Sequence, residues 1–300
     1  IMQPNLPQDA KFKPSAGNDI LRRYLELSDR PTSPTTAGLA NVTHLIWPES
    51  AFPFVLGREP SALSMIGSAL AGRAILLTGA IRLESDKTSQ TRAYNSLQAL
   101  DGGGQIIASA DKTHLVPFGE YLPASGLLRA LGLRQFIALP GGFDPGVERR
   151  FMNVPGLPPF QPLICYEGLY PGFTRTGAKA SGKRPAFIVN VSNDAWFGAT
   201  SGPLQHLNLS SYRAIEEGLP ILRATPTGVS TIVGPTGSTI SRVLHLGDSG
   251  VIDSELSLAG NNTLYTRLGD LPLLMLLLIS GMAGLLKRVA RHLKSSQNRP

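Results

Sequence analysis

Short apolar runs that resemble buried strands alternate along this chain with segments of helical spacing. The predicted strands cover residues 42–47, 74–80, 160–164, 186–191, 220–224 and 229–233. The predicted helices cover residues 18–27, 61–71 and 204–217, where apolar side chains recur at intervals of three and four. A glycine-rich turn at 101–104 joins strands 94–100 and 105–110 into a hairpin. This alternation predicts an α/β fold with a mixed sheet.

The composition supports a folded domain and excludes several classes of protein. Of the 300 residues, 42% are hydrophobic and 16% are charged, which is enough for a sizeable core. The net charge is +7, but aromatic residues make up only 7%, so a basic face interleaved with aromatics, as nucleic-acid binding needs, is not indicated. One cysteine excludes an internal disulfide framework, and no Cys/His cluster has the spacing of a zinc site. We therefore predict no nucleic-acid partner, no metal and no cofactor.

The segment 271–286 is an apolar run without a charge. At 1.5 Å per residue it makes about 24 Å of helix, and extending it to residues 268 and 290 makes it long enough to span a membrane. Basic residues follow it: Lys287, Arg288, Arg291, Lys294 and Arg299. By the positive-inside rule they predict a cytoplasmic C-terminus, with the globular part on the opposite side. A buried core helix is the alternative.

The first residues of the sequence carry neither the basic nor the apolar region of a signal peptide. They resemble the end of a strand, and Ile1 is not a natural initiator residue. We therefore expect the sequence to be a piece of a longer chain.

The only cysteine, Cys165, follows the predicted strand 160–164. A lone thiol in that place is either buried apolar filling or a nucleophile. Polar residues also follow other strands, between prolines or glycines, at Glu49, Lys112 and 193–194. Because ligands bind at the carboxyl ends of strands in α/β sheets, we expect these positions to converge on one cleft.

Together these residue types indicate acyl transfer through a thioester. A thiol needs a base to become a thiolate, and Glu49 is the candidate. The Lys112 amine, together with the backbone N–H that follows the nucleophile, would stabilise the oxyanion of a tetrahedral intermediate. This chemistry requires no histidine.

Motifs in four places carry a resemblance to a known family. They are Trp47-Pro48-Glu49, the run KTHLVPFGEYLP at 112–123, Ile164-Cys165-Tyr166-Glu167, and SNDAWFG at 192–198 with Gln205-His206. At these residues the chain resembles the nitrilase superfamily, and within it the apolipoprotein N-acyltransferases, membrane enzymes that complete bacterial lipoproteins. The resemblance implies a four-layer αββα sandwich followed by a C-terminal transmembrane helix. It places the catalytic domain at 1–266, the transmembrane helix at 267–290 and a basic cytoplasmic tail at 291–300.

The resemblance also implies a reaction. Glu49 is expected to be the general base, Lys112 the oxyanion stabiliser and Cys165 the nucleophile. Cys165 takes an acyl chain from a phospholipid and passes it to the N-terminal amine of a diacylglyceryl-cysteine lipoprotein. The expected location is the bacterial inner membrane, with the catalytic domain on the periplasmic side.

Supporting residues follow from the same resemblance. Glu120 is expected to orient Lys112, while Tyr166 and Glu167 flank the nucleophile and shape the acyl site, and Trp196 belongs to a loop over it. The alternative for the two glutamates is a solvated loop carboxylate, and for the two aromatics ordinary core packing. Three histidines have no assigned role and are interpreted as structural: His44, His114 and His206.

Two other functions remain open at this stage. Family members carry an N-terminal bundle of transmembrane helices ahead of this domain, and its absence from the given sequence agrees with the expectation of a piece of a longer chain. The nearest alternative function is a nitrilase-type amidase, which would use the same three residues with water as the final acceptor. The apolar run 271–286 argues against it, because an amidase needs no such segment. The other alternative is a membrane-tethered binding module that keeps the fold without turnover. The presence of Glu49, Lys112 and Cys165 together argues against it, because a binding module needs no nucleophile.

Overall fold

The computed structural model describes residues 1–6, 17–85, 91–130, 132, 142–148, 151–174, 182, 184–257 and 259–297. Contacts divide the chain into two units, Ile1–Asn261 and Asn262–Pro300, which are described separately. The predicted boundaries at residues 266 and 290 stay predictions.

The described residues form the following elements. The strands are β1 (Met2–Gln3), β2 (His44–Ile46), β3 (Ile75–Ser85), β4 (Thr91–Leu100), β5 (Ile106–Asp111), β6 (Phe160–Ile164), β7 (Phe187–Val191), β8 (Ile221–Ala224), β9 (Thr231–Val233) and β10 (Gly250–Val251). The helices are α1 (Gly17–Ser28), α2 (Pro60–Leu70), α3 (Ser125–Ala130), α4 (Gly202–Glu217), α5 (Leu264–Leu268) and α6 (Leu271–Gln297). The strands and helices predicted from spacing are confirmed, with shifts at their ends.

The strands of the first unit form two main sheets. One has the order β2-β3-β4-β5 and the other β6-β7-β8-β9, while β1 pairs with β10. In the first sheet β2 is parallel to β3, and β4 and β5 then alternate in direction. In the second sheet β6, β7 and β8 are parallel and β9 is antiparallel to β8. Both sheets are therefore mixed, as predicted.

The sheets pack face to face because both faces of each are apolar. Successive side chains on a strand point to opposite faces. In β2, Leu45 accordingly packs with α1 and α2 on the outer face, while Ile46 packs toward the second sheet. In β6, Ile164 joins that central core and Leu163 packs on the other side with α4 and its neighbours. The layer order among the described residues is helix, sheet, sheet, helix, which confirms the predicted αββα sandwich.

Two elements differ from what local spacing suggested. The strand predicted at 74–80 continues to Ser85, because Arg82 stacks on Tyr94 of β4, with its guanidinium carbon 4.4 Å from the ring centroid, and binds Asp111 at 2.7 Å. These cross-strand contacts extend pairing into a polar segment.

Helix α4 is the second difference. Its apolar residues Leu209, Tyr212 and Ile215 are exposed, whereas its buried face includes polar residues. The polar buried residues of α4 are His206, Ser210, Arg213 and Glu217.

Strand direction determines which residues share an edge. Strands β2 and β5 run in the same direction, so Glu49 and Lys112, which follow them, lie at one edge of the first sheet. Strands β6 and β7 are parallel, so Cys165 and Asp194 emerge at one edge of the second sheet. The stacking of the sheets brings the two edges together.

The second unit contains α5 and α6. Thr263 caps α5, its hydroxyl accepting a hydrogen bond from the Thr266 N–H at 3.0 Å. Among the helices that the structure describes, α6 is long and apolar enough to cross a membrane by length and composition, over Leu271–Arg288.

Candidate active site

Glu49 follows β2 in a segment fixed by core packing. Trp47 is fully buried, donates from Nε1 to the Ser28 hydroxyl at 2.9 Å and packs edge-on against the Tyr24 ring. A β-carbon at Gly79 would lie 2.5 Å from the Cα of Glu49, so only glycine lets this segment lie so close to β3. This packing holds the Glu49 side chain in a buried position just after β2.

Lys112 follows β5 and is 1% exposed. Its Nζ lies 2.9 Å from Oε1 of Glu120 and 3.6 Å from Oε1 of Glu49. Burial alone lowers the pKa of the Lys112 amine, but the acidic groups of Glu49, Cys165 and Glu120 outweigh it and raise that pKa above its usual value. The amine is therefore a fixed cation inside the site.

Asn95 on β4 connects these groups, and the sequence reasoning missed it. Its side-chain N–H₂ donates to Oε1 of Glu49 at 2.7 Å and to Oε1 of Glu120 at 2.8 Å. The backbone carbonyl of Asn95 accepts a hydrogen bond from the backbone N–H of Lys112 at 2.8 Å. The available signal was an amide in the middle of a predicted strand, since a buried polar side chain needs partners.

Glu120 lies beside the Lys112 amine. It is buried, and Oε1 accepts from Lys112. Oε2 accepts from the Val116 N–H at 2.8 Å. The loop 112–123 therefore closes on its own lysine, and Glu120 holds the Lys112 amine in place rather than pointing into solvent.

Cys165 follows β6 and is partly buried. Its φ is 51°, a left-handed conformation that costs a residue with a β-carbon about 1–2 kcal/mol. Burial and the Glu49 carboxylate raise the pKa of the thiol to about 12, although Lys112 and a hydrogen bond with Ser192 act in the opposite direction. The group is a thiol at neutral pH, so a base must remove its proton during attack.

Asp194, after β7, is the centre of a buried polar network beside the nucleophile. Its carboxylate accepts from Nη2 of Arg223 at 2.8 Å, from the Ser192 hydroxyl at 2.8 Å and from Nδ1 of His206 at 2.8 Å. Burial alone would raise the pKa of Asp194, but Arg223 and His206 lower it to about 2. Nε2 of His206 lies 3.3 Å from the carbonyl oxygen of Cys165.

The buried Glu167 carboxylate links the two sheet edges by hydrogen bonds. Oε1 accepts from the Thr113 N–H at 2.7 Å, from the Thr113 hydroxyl at 3.0 Å and from the His114 N–H at 3.1 Å. Oε2 accepts from the Ile164 N–H at 2.9 Å. Burial raises the pKa of Glu167, while these donors and the Lys112 charge oppose the change. Glu167 thus connects the residue after Lys112 to the residue before Cys165.

Replacing Glu167 by glutamine should destabilise the fold by about 2 kcal/mol and lower activity, because an amide N–H₂ would then face a backbone N–H donor. Urea unfolding measures the stability change. The matched control is Glu26→Gln on the exposed face of α1, which should stay within about 0.5 kcal/mol of the parent chain. Equal changes in unfolding free energy for the two substitutions would refute this linking role of Glu167.

The aromatic residues of the motifs differ in their exposure. Tyr166 directly follows Cys165, is partly buried and packs edge-on against Tyr170 at 5.0 Å between ring centroids. His114 packs on Tyr170 at 4.2 Å. Trp196 lies in the short helical turn after β7 and is 51% exposed.

The cluster has the chemical groups for acyl transfer. It combines a carboxylate, a fixed cation and a thiol, each following a different strand, and the predicted convergence is what the structure gives. In the described ranges, no group of three or more His, Cys, Asp or Glu side chains is arranged to hold a metal ion.

Comparison with known families assigns the chain. The model of the carbon-nitrogen hydrolase family matches residues 23–262, most of the chain. The chain belongs to the carbon-nitrogen hydrolase family. The match includes Glu49, Lys112 and Cys165 of the cluster, so the site lies within the family domain.

Curated relatives narrow the comparison. The chain is 46% identical over 290 residues to the apolipoprotein N-acyltransferase of Rhodopseudomonas palustris, covering 96% of this chain and 53% of that protein. It is 43% identical over 294 residues to the apolipoprotein N-acyltransferase of Bradyrhizobium diazoefficiens, covering 97% of this chain and 54% of that protein. The chain therefore spans about half the length of the curated relatives that it matches.

Solved structures of the carbon-nitrogen hydrolase type agree on the fold. An amidase from Nesterenkonia sp. superposes with a TM-score of 0.57 at 18% identity, covering 89% of this chain and 90% of that chain. Its sequence is distant, so the likeness concerns the fold alone.

Proposed function

We propose that this chain carries the acyl-transfer site of an apolipoprotein N-acyltransferase. The observation that carries the proposal is the identity of 40–46% with curated proteins of that name over most of this chain. The proposed donor is a phospholipid and the proposed acceptor is the N-terminal amine of a diacylglyceryl-cysteine lipoprotein.

Two half-reactions follow from the cluster. In the first, Glu49 takes the proton of the Cys165 thiol while the sulfur attacks an ester carbonyl of the phospholipid. Lys112, held by Glu120, stabilises the negative oxygen of the tetrahedral intermediate. Glu49 then returns the proton to the leaving alkoxide, which yields a lysophospholipid and an acyl-Cys165 thioester.

The second half-reaction repeats the geometry with a different nucleophile. The lipoprotein amine attacks the thioester carbonyl, Glu49 accepts the ammonium proton, and the Cys165 thiolate leaves and is reprotonated. The products are an amide and the free enzyme thiol. In this proposal Tyr166 and Trp196 border the acyl chain, and Glu167 keeps the two sheet edges in register.

The membrane context is part of the same proposal. Helix α6 meets the length and composition of a membrane-spanning helix, and Lys287 and Arg288 stand near the end of its apolar part. With the basic end in the cytoplasm, the catalytic domain lies on the periplasmic side of the inner membrane.

Intact-mass spectrometry tests the reaction directly. The protein in detergent, incubated with a phospholipid of known acyl chain, should gain the mass of one acyl group on Cys165. It should lose that mass when a diacylated lipopeptide is added, with the same acyl group appearing on the peptide amine. Hydrolysis of small amides without an acyl-enzyme from phospholipid would instead favour the amidase.

A further inference from the structure

His206 is a buried histidine that the acyl-transfer steps above leave without a role. It lies on α4, 4% exposed. Nδ1 is 2.8 Å from Oδ1 of Asp194, and Nε2 is 3.3 Å from the carbonyl oxygen of Cys165. The ring therefore bridges the residue after β7 to the backbone of the nucleophile.

Both partners of the ring are acceptors. A backbone carbonyl oxygen only accepts hydrogen bonds, and so does an ionised carboxylate. Nε2 therefore donates to the Cys165 carbonyl oxygen, and the Asp194 carboxylate lies beside Nδ1. Asp194 remains an anion here because Arg223 on β8 also binds it, at 2.8 Å.

The His206 ring also has an aromatic neighbour. The Phe197 ring lies 5.7 Å away and edge-on. A β-carbon at Gly228 would lie 2.4 Å from Oδ2 of Asp194, so only glycine leaves room for this carboxylate. Among the described residues, the Asp194 carboxylate contacts the ring and the Arg223 guanidinium binds that carboxylate.

A hydrogen bond to the Cys165 carbonyl oxygen also fixes the direction of the Tyr166 N–H. The peptide between Cys165 and Tyr166 is trans, and a trans peptide is planar with its C=O and N–H in opposite directions. A hydrogen-bond donor on the carbonyl oxygen withdraws electrons from the peptide and strengthens the N–H as a donor. The Tyr166 N–H is the backbone donor that follows the nucleophile.

We propose that His206 is a positioning residue that orients and polarises the Cys165–Tyr166 peptide, so that the Tyr166 N–H binds the oxyanion formed on the acyl group. This inference rests on the proposed function for its oxyanion. It gives the left-handed backbone at Cys165 a cause, since the carbonyl is held on the side of α4. His206 touches neither the acyl group nor the thiol in this account.

A pair of substitutions separates the two bonds of the ring. His206→Gln keeps an N–H donor near the Nε2 position and so the bond to Cys165, whereas His206→Asn keeps one near Nδ1 and so the bond to Asp194. We expect thioester formation from 4-nitrophenyl butyrate to stay within about tenfold of the parent in the glutamine variant. It should fall about 10²-fold in the asparagine variant, since removing one oxyanion donor costs about 10²–10³.

A second reaction distinguishes the oxyanion from the thiol. Alkylation of Cys165 by iodoacetamide forms no oxyanion, so we expect its rate to stay within about threefold in both variants. The matched control is His44→Gln, because Nε2 of His44 also meets a backbone carbonyl, that of Pro155 at 2.9 Å, at the other end of β2. Both reactions should be unchanged in this control.

The proposal is overturned if the asparagine variant forms thioester as fast as the glutamine variant, or if alkylation falls in parallel with thioester formation. Nitrogen-15 spectra of the histidine-labelled parent protein add a measurement that needs no variant, and an Nε2 of His206 that carries no proton would also overturn the proposal. Thioester formation from 4-nitrophenyl butyrate but not from a phospholipid contradicts the proposed function while leaving the His206 comparison decisive.

Discussion

The Cys165→Ala variant is expected to lose acyl transfer, with a rate reduced by about 10⁴-fold or more, because no other group in the site can form the thioester. The fold should be retained. Alanine has the same β-carbon as cysteine, so the left-handed conformation with a φ of 51° costs both residues a similar amount. Phospholipid donor, diacylated peptide and the purified protein in detergent suffice for the assay.

Thermal unfolding of the same sample supplies the folding control for Cys165→Ala, and Cys165→Ser supplies the chemical one. Serine keeps a hydroxyl at the sulfur position but is a weaker nucleophile, so it should also be inactive. Full transfer activity in the alanine variant would refute the thioester mechanism, whatever the fold.

Replacing Lys112 by methionine should have the second largest effect, on stability as well as on rate. The amine lies between Glu49 and Glu120 and is almost fully buried. Removing it leaves two buried carboxylates without their cation, which should cost about 3–5 kcal/mol of unfolding free energy. Thioester formation should slow by about 10²–10³-fold, because one oxyanion donor is lost.

A double variant separates these two effects of Lys112. Adding Glu120→Gln to Lys112→Met removes one of the two buried negative charges, so part of the stability should return while the rate stays low. Urea unfolding and single-turnover mass spectrometry measure the two quantities. If the double variant recovered the rate together with the stability, Lys112 would act only on folding. Weaker substrate binding with an unchanged chemical step in Lys112→Met would also contradict its role in binding the oxyanion.

Much of the fold could be predicted from the sequence because its signals are local. The runs before Glu49 and Cys165 are apolar and end at proline, glycine or polar residues, so strand ends were visible without any tertiary information. The extension of β3 to Ser85 was not, because it depends on the stacking of Arg82 on Tyr94 in the neighbouring strand.

The buried face of α4 shows the same limit. Helical spacing marks Leu209, Tyr212 and Ile215 as apolar, yet the structure exposes them. The face that packs inward carries His206 and Arg213, because it covers a polar network that only the second sheet assembles. Periodicity identifies a helix but does not decide which of its faces finds partners.

The chemical groups that follow the strands could be predicted from local sequence: a carboxylate at Glu49, an amine at Lys112 and a thiol at Cys165. Each of these predictions depends on a few neighbouring residues. The contacts that hold the three groups could not be predicted in this way, because they come from Asn95 on β4, Glu167 between the sheet edges and the buried network beside the nucleophile. Those contacts join residues up to 54 positions apart, and the packing of two sheets sets their distances.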